Sequence, residues 1–236
     1  MEHPLHNVIF TALGTRQREF ALDAGEARRF QPDVAPLSGL ADPLAPESWN
    51  ALASLIPEGR GAGLFLHEIV PPQAGLTTAF TRPLVQMLCR ALAPARRASD
   101  ADERAAQAAD LGPADAEAMI ALVKLTQPGP MERRTVDLGH YIGVRDEAGH
   151  LVAMAGERLQ VDGFTEISAV CTHPDHRGRG LAAALMRRLM RDVFARGEQP
   201  FLHVAADNEG ALRVYRELGF AERQRAHLVA VTKPVA

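Results

Sequence analysis

The segment Thr172–Ala182, reading THPDHRGRGLA, holds the residues with the clearest chemical use. Gly178 and Gly180 allow a tight turn and let bare backbone approach a ligand. A helix is expected to begin just after them, and the first N–H groups of a helix have no internal partner and carry partial positive charge. Such a terminus suits a phosphate or pyrophosphate, to which Arg177 and Arg179 can add charge-assisted hydrogen bonds. The same residues also read as a glycine-rich turn with solvated arginines, and spacing alone leaves both readings open. The pattern is not G-x-G-x-x-G and no acidic residue follows at dinucleotide spacing, which disfavours a nicotinamide site. No Lys-Ser/Thr pair follows the glycines, so the turn is not a Walker loop.

The elements around this turn are legible. Thr165–Thr172 is strand-like, and Leu181–Arg196 spaces Leu181, Leu185, Leu189 and Val193 as one apolar stripe of a helix, closed by Gly197. Phe201–Ala205 reads as a buried strand, so strand, helix and strand form a βαβ unit with parallel pairing. Asn208 is placed to cap a further helix through Tyr215 and Leu218, closed by Gly219, and His227–Thr232 is a final strand. Upstream, Pro113 opens an amphipathic helix over 114–123, followed by a Pro/Gly-rich loop over 126–139. His140–Arg145, Leu151–Leu159 and Thr165–Thr172 follow as an antiparallel meander. The order predicts a mixed sheet with helices on both faces, an α/β (α+β) fold.

Ten of the 16 prolines fall in residues 1–100, where short apolar runs (Val8–Leu13, Gly63–Val70) alternate with helix-like stretches (Glu47–Leu55, Leu84–Leu92). This reads as a small, irregular α/β region of unknown role. The alanine-rich, charged stretch Ala95–Ala109 reads as a linker or an exposed helix, which puts a domain boundary near residue 100 and a second domain over 101–236. Composition narrows the class. The chain has 236 residues, 47% hydrophobic and 23% charged, with a formal net charge of −3 and no skew between halves. No basic footprint for nucleic acid is present, and no apolar run is long enough to span a membrane. The start MEHPLHNVIF lacks a basic patch followed by an apolar run, so no secretory signal is expected. Cys89 and Cys171 make no metal-ligand spacing, and a reduced, cytoplasmic setting without a metal is the expectation.

R-G-R-G-L-A at Arg177–Ala182 resembles the acetyl-CoA loop of the GNAT (Gcn5-related) N-acetyltransferases, Q/R-x-x-G-x-G/A, with Arg177, Gly180 and Ala182 at its fixed positions. Asn208, Ala211, Tyr215 and Gly219-Phe220 follow the family's N-x-x-A-x-x-x-Y-x-x-x-G-F run. The resemblance covers roughly residues 110–231, and the approach E-I-S-A-V-C-T-H-P is most similar to the FR47-like branch. That branch often carries a diverged N-terminal half, which fits a GNAT-like region over 1–100 without a motif of its own.

The resemblance implies a transferase that uses acetyl-CoA as cosubstrate and acylates a primary amine of a small molecule or peptide by direct attack in a ternary complex. It implies that the strand before the loop (169–172) splays from the strand after it. The pantetheine arm then pairs with the backbone of Val170, Cys171 and Thr172, and the pyrophosphate sits on the N–H groups of Arg177, Gly178, Arg179, Gly180, Leu181 and Ala182. Asn208 and Ala211 complete the cofactor side. Glu166 stands at the family's offset for a catalytic glutamate, Glu157 on the neighbouring strand is its runner-up, and Tyr215 matches the tyrosine that protonates the departing thiolate. Each has a plainer reading: an exposed strand carboxylate for Glu166 and sheet packing for Tyr215. Leu125–Gly139 is the expected acceptor segment, where an arginine pair, Arg133 and Arg134, can receive a carboxylate or simply be solvated. His203 reads as a hydrogen-bonded interior histidine ahead of a pocket residue, Trp49 as core, and Cys171 as an inert thiol. The competing function is a catalytically silent acyl-CoA sensor or scaffold. The closing strand leaves a homodimer open as a further partner.

Overall fold

The computed structural model describes residues 3–94 and 100–235. The first half runs α1 (Val8–Gly14), β1 (Ala21–Asp23), β2 (Ala27–Phe30), β3 (Leu37–Leu40), α2 (Pro46–Leu55), β4 (Gly61–Leu66) and β5 (Thr77–Cys89). The second runs α3 (Asp100–Ala106), β6 (Ala109–Leu111), α4 (Ala116–Thr126), β7 (Tyr141–Arg145), β8 (Leu151–Val161) and β9 (Phe164–Thr172). It then closes with α5 (Leu181–Ala195), β10 (Gln199–Ala205), α6 (Glu209–Leu218) and β11 (Phe220–Thr232). All strands join one 11-stranded sheet in the order β1-β2-β3-β4-β11-β5-β10-β9-β8-β7-β6. Among the described residues only β3–β4 and β9–β10 pair in parallel. Among the described residues no helix is long and apolar enough to cross a membrane.

Read outward from the central β5–β11 pair, the two sides repeat. β4, β3, β2 and β1 lie on one side and β10, β9, β8 and β7 on the other, with the parallel pair in the same place on each. α2 links the first parallel pair and α5 the second. The last long strand of each half crosses over: β5 pairs with β10, and β11 pairs with β4. The boundary expected near residue 100 adjoins residues 95–99, which lie outside the described set. On either side of it the sheet is one, because β5 fills the place between β10 and β11.

α5 packs through Leu185, Met186, Leu189 and Met190 on one face, joined by Ala101 and Ala105 of α3, while α2 sets Trp49 and Leu52 against β4 and β11. On the other face α1 packs through Val8, Ile9 and Leu13, and α4 through Met119, Leu122 and Val123. The sheet curls around this second face. Phe65 of β4 and Arg158 of β8, five places apart in strand order, come to 5.9 Å.

The second half follows the sequence reading closely, and the first half departs from it twice. Val8–Leu13, an apolar run there, is helix α1. Leu84–Leu92, helix-like from its Leu, Met and Gln content, lies mostly in strand β5. Residues 84–89 are buried without alternation because both faces of this central strand are covered, so tertiary context overrides propensity. Part of the linker stretch is helical too: α3 buries Ala101 and Ala105 against α5.

Tight packing beside the future site is set by Gly156 of β8. A Cβ there would stand 2.1 Å from Tyr141 Cδ1 and 2.5 Å from Cγ, on a ring that is 1% exposed. Gly156→Ala is expected to cost about 1–3 kcal/mol through overpacking, read from the urea midpoint.

Candidate active site

β9 and β10 pair at Phe164/Gln199, Thr165/Pro200 and Glu166/Phe201, and no further. Beyond that vertex the strands part, with Ile167–Thr172 on one lip and Leu202–Ala205 on the other. The parting is reinforced from the β8 side. Between Met154/Cys171 and Gly156/Ser168 the register slips by one extra residue in β9, and Ala169 takes φ +53°, the left-handed region. Such a bulge bends the strand and re-aims its neighbours. At the end of the lip the Thr172 hydroxyl is buried and has no hydrogen-bond partner among the described residues.

Both parallel strands end on the same side, so the turn 173–180 and the start of α6 sit together at the mouth of the gap. Gly178 and Gly180 have φ +74° and +76°, and a Cβ at Gly178 would meet nothing within 4 Å, so the turn faces open space. The first helical bond of α5 runs from Ala184 N to Gly180 O, which leaves the N–H groups of 181–183 without a helical partner, and no acidic residue occupies the first turn. Arg177 and Arg179 hold the turn from below, donating to Thr172 O and Asp175 O at 3.4 and 3.3 Å. Across the mouth Asn208 caps α6, its Oδ1 accepting from Ala211 N at 3.1 Å. Tyr215 is half-buried on α6, edge-on to Phe220, and burial pushes its phenol up to about 12.

Glu166 is fully buried at the vertex. Arg158 Nε and Nη2 donate to its two oxygens at 2.8 and 2.9 Å, and His203 Nδ1 donates at 2.7 Å. Burial alone would raise its pKa, but the Arg158 charge and the hydrogen bonds from His203 and Arg158 outweigh it and hold the carboxyl down to about 2. Glu157 lies on the opposite face of the sheet, where Arg196 at the end of α5 donates to Oε1 at 2.7 Å. Burial pushes the Cys171 thiol up to about 11, so it stays protonated.

The sequence profile of the FR47-like protein family matches residues 141–229, the stretch from β7 through most of β11. A GNAT-family crystal structure from Novosphingobium aromaticivorans is 35% identical, covers 99% of this chain and 100% of its own, and superposes with a TM-score of 0.87. The chain belongs to the GNAT acetyltransferase family. Over shorter spans it is 40% identical to the N-alpha-acetyltransferase RimI of Mycobacterium tuberculosis, across 34% of this chain and 51% of that protein. It is 32% identical to the L-amino acid N-acyltransferase MnaT of Escherichia coli, across 38% of this chain and 54% of that protein. The chain thus matches about half the length of these curated relatives.

As a GNAT protein, the chain departs from the sequence reading at its carboxylates. Glu166 is not the exposed carboxylate of the plainer reading: it is fully buried and hydrogen-bonded, and a carboxyl held down to about 2 is a weak base. Glu157, the runner-up, faces the side of the sheet that carries α5 and is paired there with Arg196. Arg134, in the expected acceptor segment, keeps 41% of its side chain exposed. It is engaged with Gln31, Asp33 and Asp137, and the loop is pinned to the first half by Thr135 Oγ1 donating to Val34 O at 2.6 Å. His203, by contrast, is the interior histidine expected.

Sequence reasoning missed what surrounds His203. Its Nε2 accepts from Gln86 Nε2 at 3.0 Å, Gln86 Oε1 accepts from Arg223 at 2.8 Å, Arg223 also donates to Gln224, and Gln224 reaches His67 at 2.8 Å. This polar row crosses β10, β5, β11 and the end of β4 and ties the vertex to both halves. Its members lie up to 157 residues apart in sequence, so no local pattern could reveal it; the bulge at Ala169 likewise carries no local signal.

The Arg158–Glu166 pair makes a stability prediction. Glu166→Gln leaves a buried guanidinium without its counter-ion and is expected to cost about 3–5 kcal/mol near neutral pH. Because the folded pKa lies below the ordinary value of 4.5, this stabilisation is present above 4.5 and lost as pH falls through about 2. Urea midpoints of the two proteins should therefore converge across that window. A difference that stays constant from pH 7 to pH 2 would contradict the assignment.

Proposed function

We propose that the protein transfers an acyl group, acetyl first, from acyl-CoA to a primary amine of a small molecule or peptide, in a ternary complex. The observation that carries this reading is the parting of β9 from β10 directly beneath a phosphate-sized turn. The residues present fit the donor. The open backbone of 170–172 offers a strand edge for the pantetheine amides, the orphan Thr172 hydroxyl lies at that edge, and the N–H groups of 178–182 suit a pyrophosphate. RimI is an N-alpha-acetyltransferase and MnaT an L-amino acid N-acyltransferase, and this similarity supports an amine acceptor here.

Acyl-CoA supplies an activated thioester carbonyl carbon and a thiolate leaving group. The chain's part is to orient and to move protons. The bulged backbone near Cys171 offers an N–H to the carbonyl oxygen as negative charge develops there. As the amine nitrogen bonds to carbon and the C–S bond breaks, Tyr215 donates its hydrogen bond and then its proton to the sulfur. A phenol held near 12 is fully protonated at neutral pH and has that proton to give. The nitrogen's surplus proton passes to water, since neither Glu166 nor Glu157 stands free at the gap. Glu166 acts as a positioning residue that fixes the vertex through Arg158 and His203. Holding amine and thioester together supplies much of the acceleration.

The same sealed carboxylates are the specific observation in favour of the second reading, an acyl-CoA sensor without turnover. Two variants separate the readings. Gly180→Asp is expected to abolish acetyl-CoA binding in calorimetry, because it adds a strained left-handed residue and a negative charge to the turn. Tyr215→Phe is expected to keep donor affinity while amine-dependent release of free CoA thiol falls about a hundredfold or more. Tight binding with no amine-dependent thiol release from any amine in a broad panel would favour the sensor.

A further inference from the structure

The first half repeats the parting of strands. β3 and β4 pair in parallel only at Leu37/Gly63 and Ser38/Leu64, then separate as β9 and β10 do. A cavity of about 380 Å³ lies where they part, lined by Ser38–Leu40 of β3, Leu64–Leu66 of β4, and His6, Asn7 and Ile9 at the start of α1. That volume falls within the range of small-molecule sites.

Its chemistry differs from that of the donor gap. No glycine-rich turn follows β3. The connection Ala41–Ala45 folds on itself, with Leu44 N donating to Asp42 Oδ1 and Asp42 N to Ser48 Oγ, and α2 opens with Glu47 in its first turn. Among the described residues no lysine or arginine lines the cavity; Asp42 is its one carboxylate, and the imidazoles of His6 and His67 complete its titratable lining. The lining offers a phosphate no permanent positive charge. Ile9, Leu40, Leu64 and Leu66 present apolar surface, and the Ser38 hydroxyl, fully buried in the wall, has no hydrogen-bond partner among the described residues. An unpaired buried hydroxyl is costly in an empty site and becomes useful when a ligand N–H reaches it. Phe65 forms another part of the wall, and its ring stands 4.4 Å from that of His203. The cavity therefore borders the polar row that holds Glu166.

We infer that this cavity is a second ligand site, for a small apolar amine, with the hydrocarbon part on the leucines and the N–H donors on Ser38 and Asp42. The inference rests on the first half's own geometry and is independent of the donor reading. Trp49, the chain's single tryptophan, provides a probe, because its Nε1 donates at 2.8 Å to the carbonyl of Pro43, a lining residue. Phenethylamine is titrated into the full chain without CoA, followed by Trp49 emission and by calorimetry, with 3-phenylpropionate as the anionic counterpart. Saturable 1:1 binding of the amine and at least tenfold weaker binding of the acid are expected. Ser38→Ala breaks no existing hydrogen bond, so its unfolding midpoint should hold while amine affinity drops about fivefold. Leu40→Phe, which fills the space, should abolish binding, and Gly180→Asp should leave it unchanged, which keeps this test separate from donor binding. No heat and no emission change with the wild type, equal affinity for the acid, or wild-type affinity in Ser38→Ala would each overturn the proposal.

Discussion

Parallel strands gain their stability by pairing, yet β9 and β10 stop after three residue pairs and diverge with their edges bare. Unpaired backbone in the middle of a sheet is unfavourable unless something else takes up its hydrogen bonds. Three features hold the divergence in place: the left-handed bulge at Ala169, the salt-bridged Glu166 at the vertex, and β5, which pairs with the far edge of β10 and draws it away from β9. The glycine-rich turn and the uncapped start of α5 then lie at the mouth because both strands end there. The site is thus a consequence of where pairing fails, and the residues that attend it serve chiefly to keep it failing in the same place.

The exchange of β5 and β11 gives that constraint its reach. Each half lends its last strand to the other, so the gap in the second half is buttressed by the first. The polar row from Arg158 and Glu166, buried at that end, through His203, Gln86, Arg223 and Gln224 to half-buried His67 runs across this exchange. A polar row of this kind is tolerable in a core only when each donor finds an acceptor. Here the directions are consistent: His203 donates from Nδ1 and accepts at Nε2, and Gln86 donates with its amide and accepts with its carbonyl. The row replaces what would otherwise be an apolar seam with one that specifies register across four strands.

How much of this could be read beforehand follows from the range of the signals. The turn at Arg177–Ala182, the stripe of α5, the Asn208 cap and the closing Gly219 are local patterns, and the structure places them as read. The fate of Glu166 was not legible, because its partners Arg158 and His203 are defined by strand register and by curl rather than by spacing. Glu157 illustrates the same limit, since a bulge between Glu157 and Gln160 decides which face each side chain takes. In the first half, β5 looked helical because Leu, Met and Gln favour helices. Only its two flanking strands, β10 and β11, both from the second half of the chain, make it a strand.

The central claim is that the parted edge of β9 and the turn above it receive the donor. Amide hydrogen exchange with and without acetyl-CoA tests it directly, residue by residue. The account predicts that exchange slows at least tenfold at the amides of 168–173 and 178–183, with β3 and β4 unchanged. Unchanged exchange at those amides under saturating acetyl-CoA, or protection centred on residues 37–67, would contradict it.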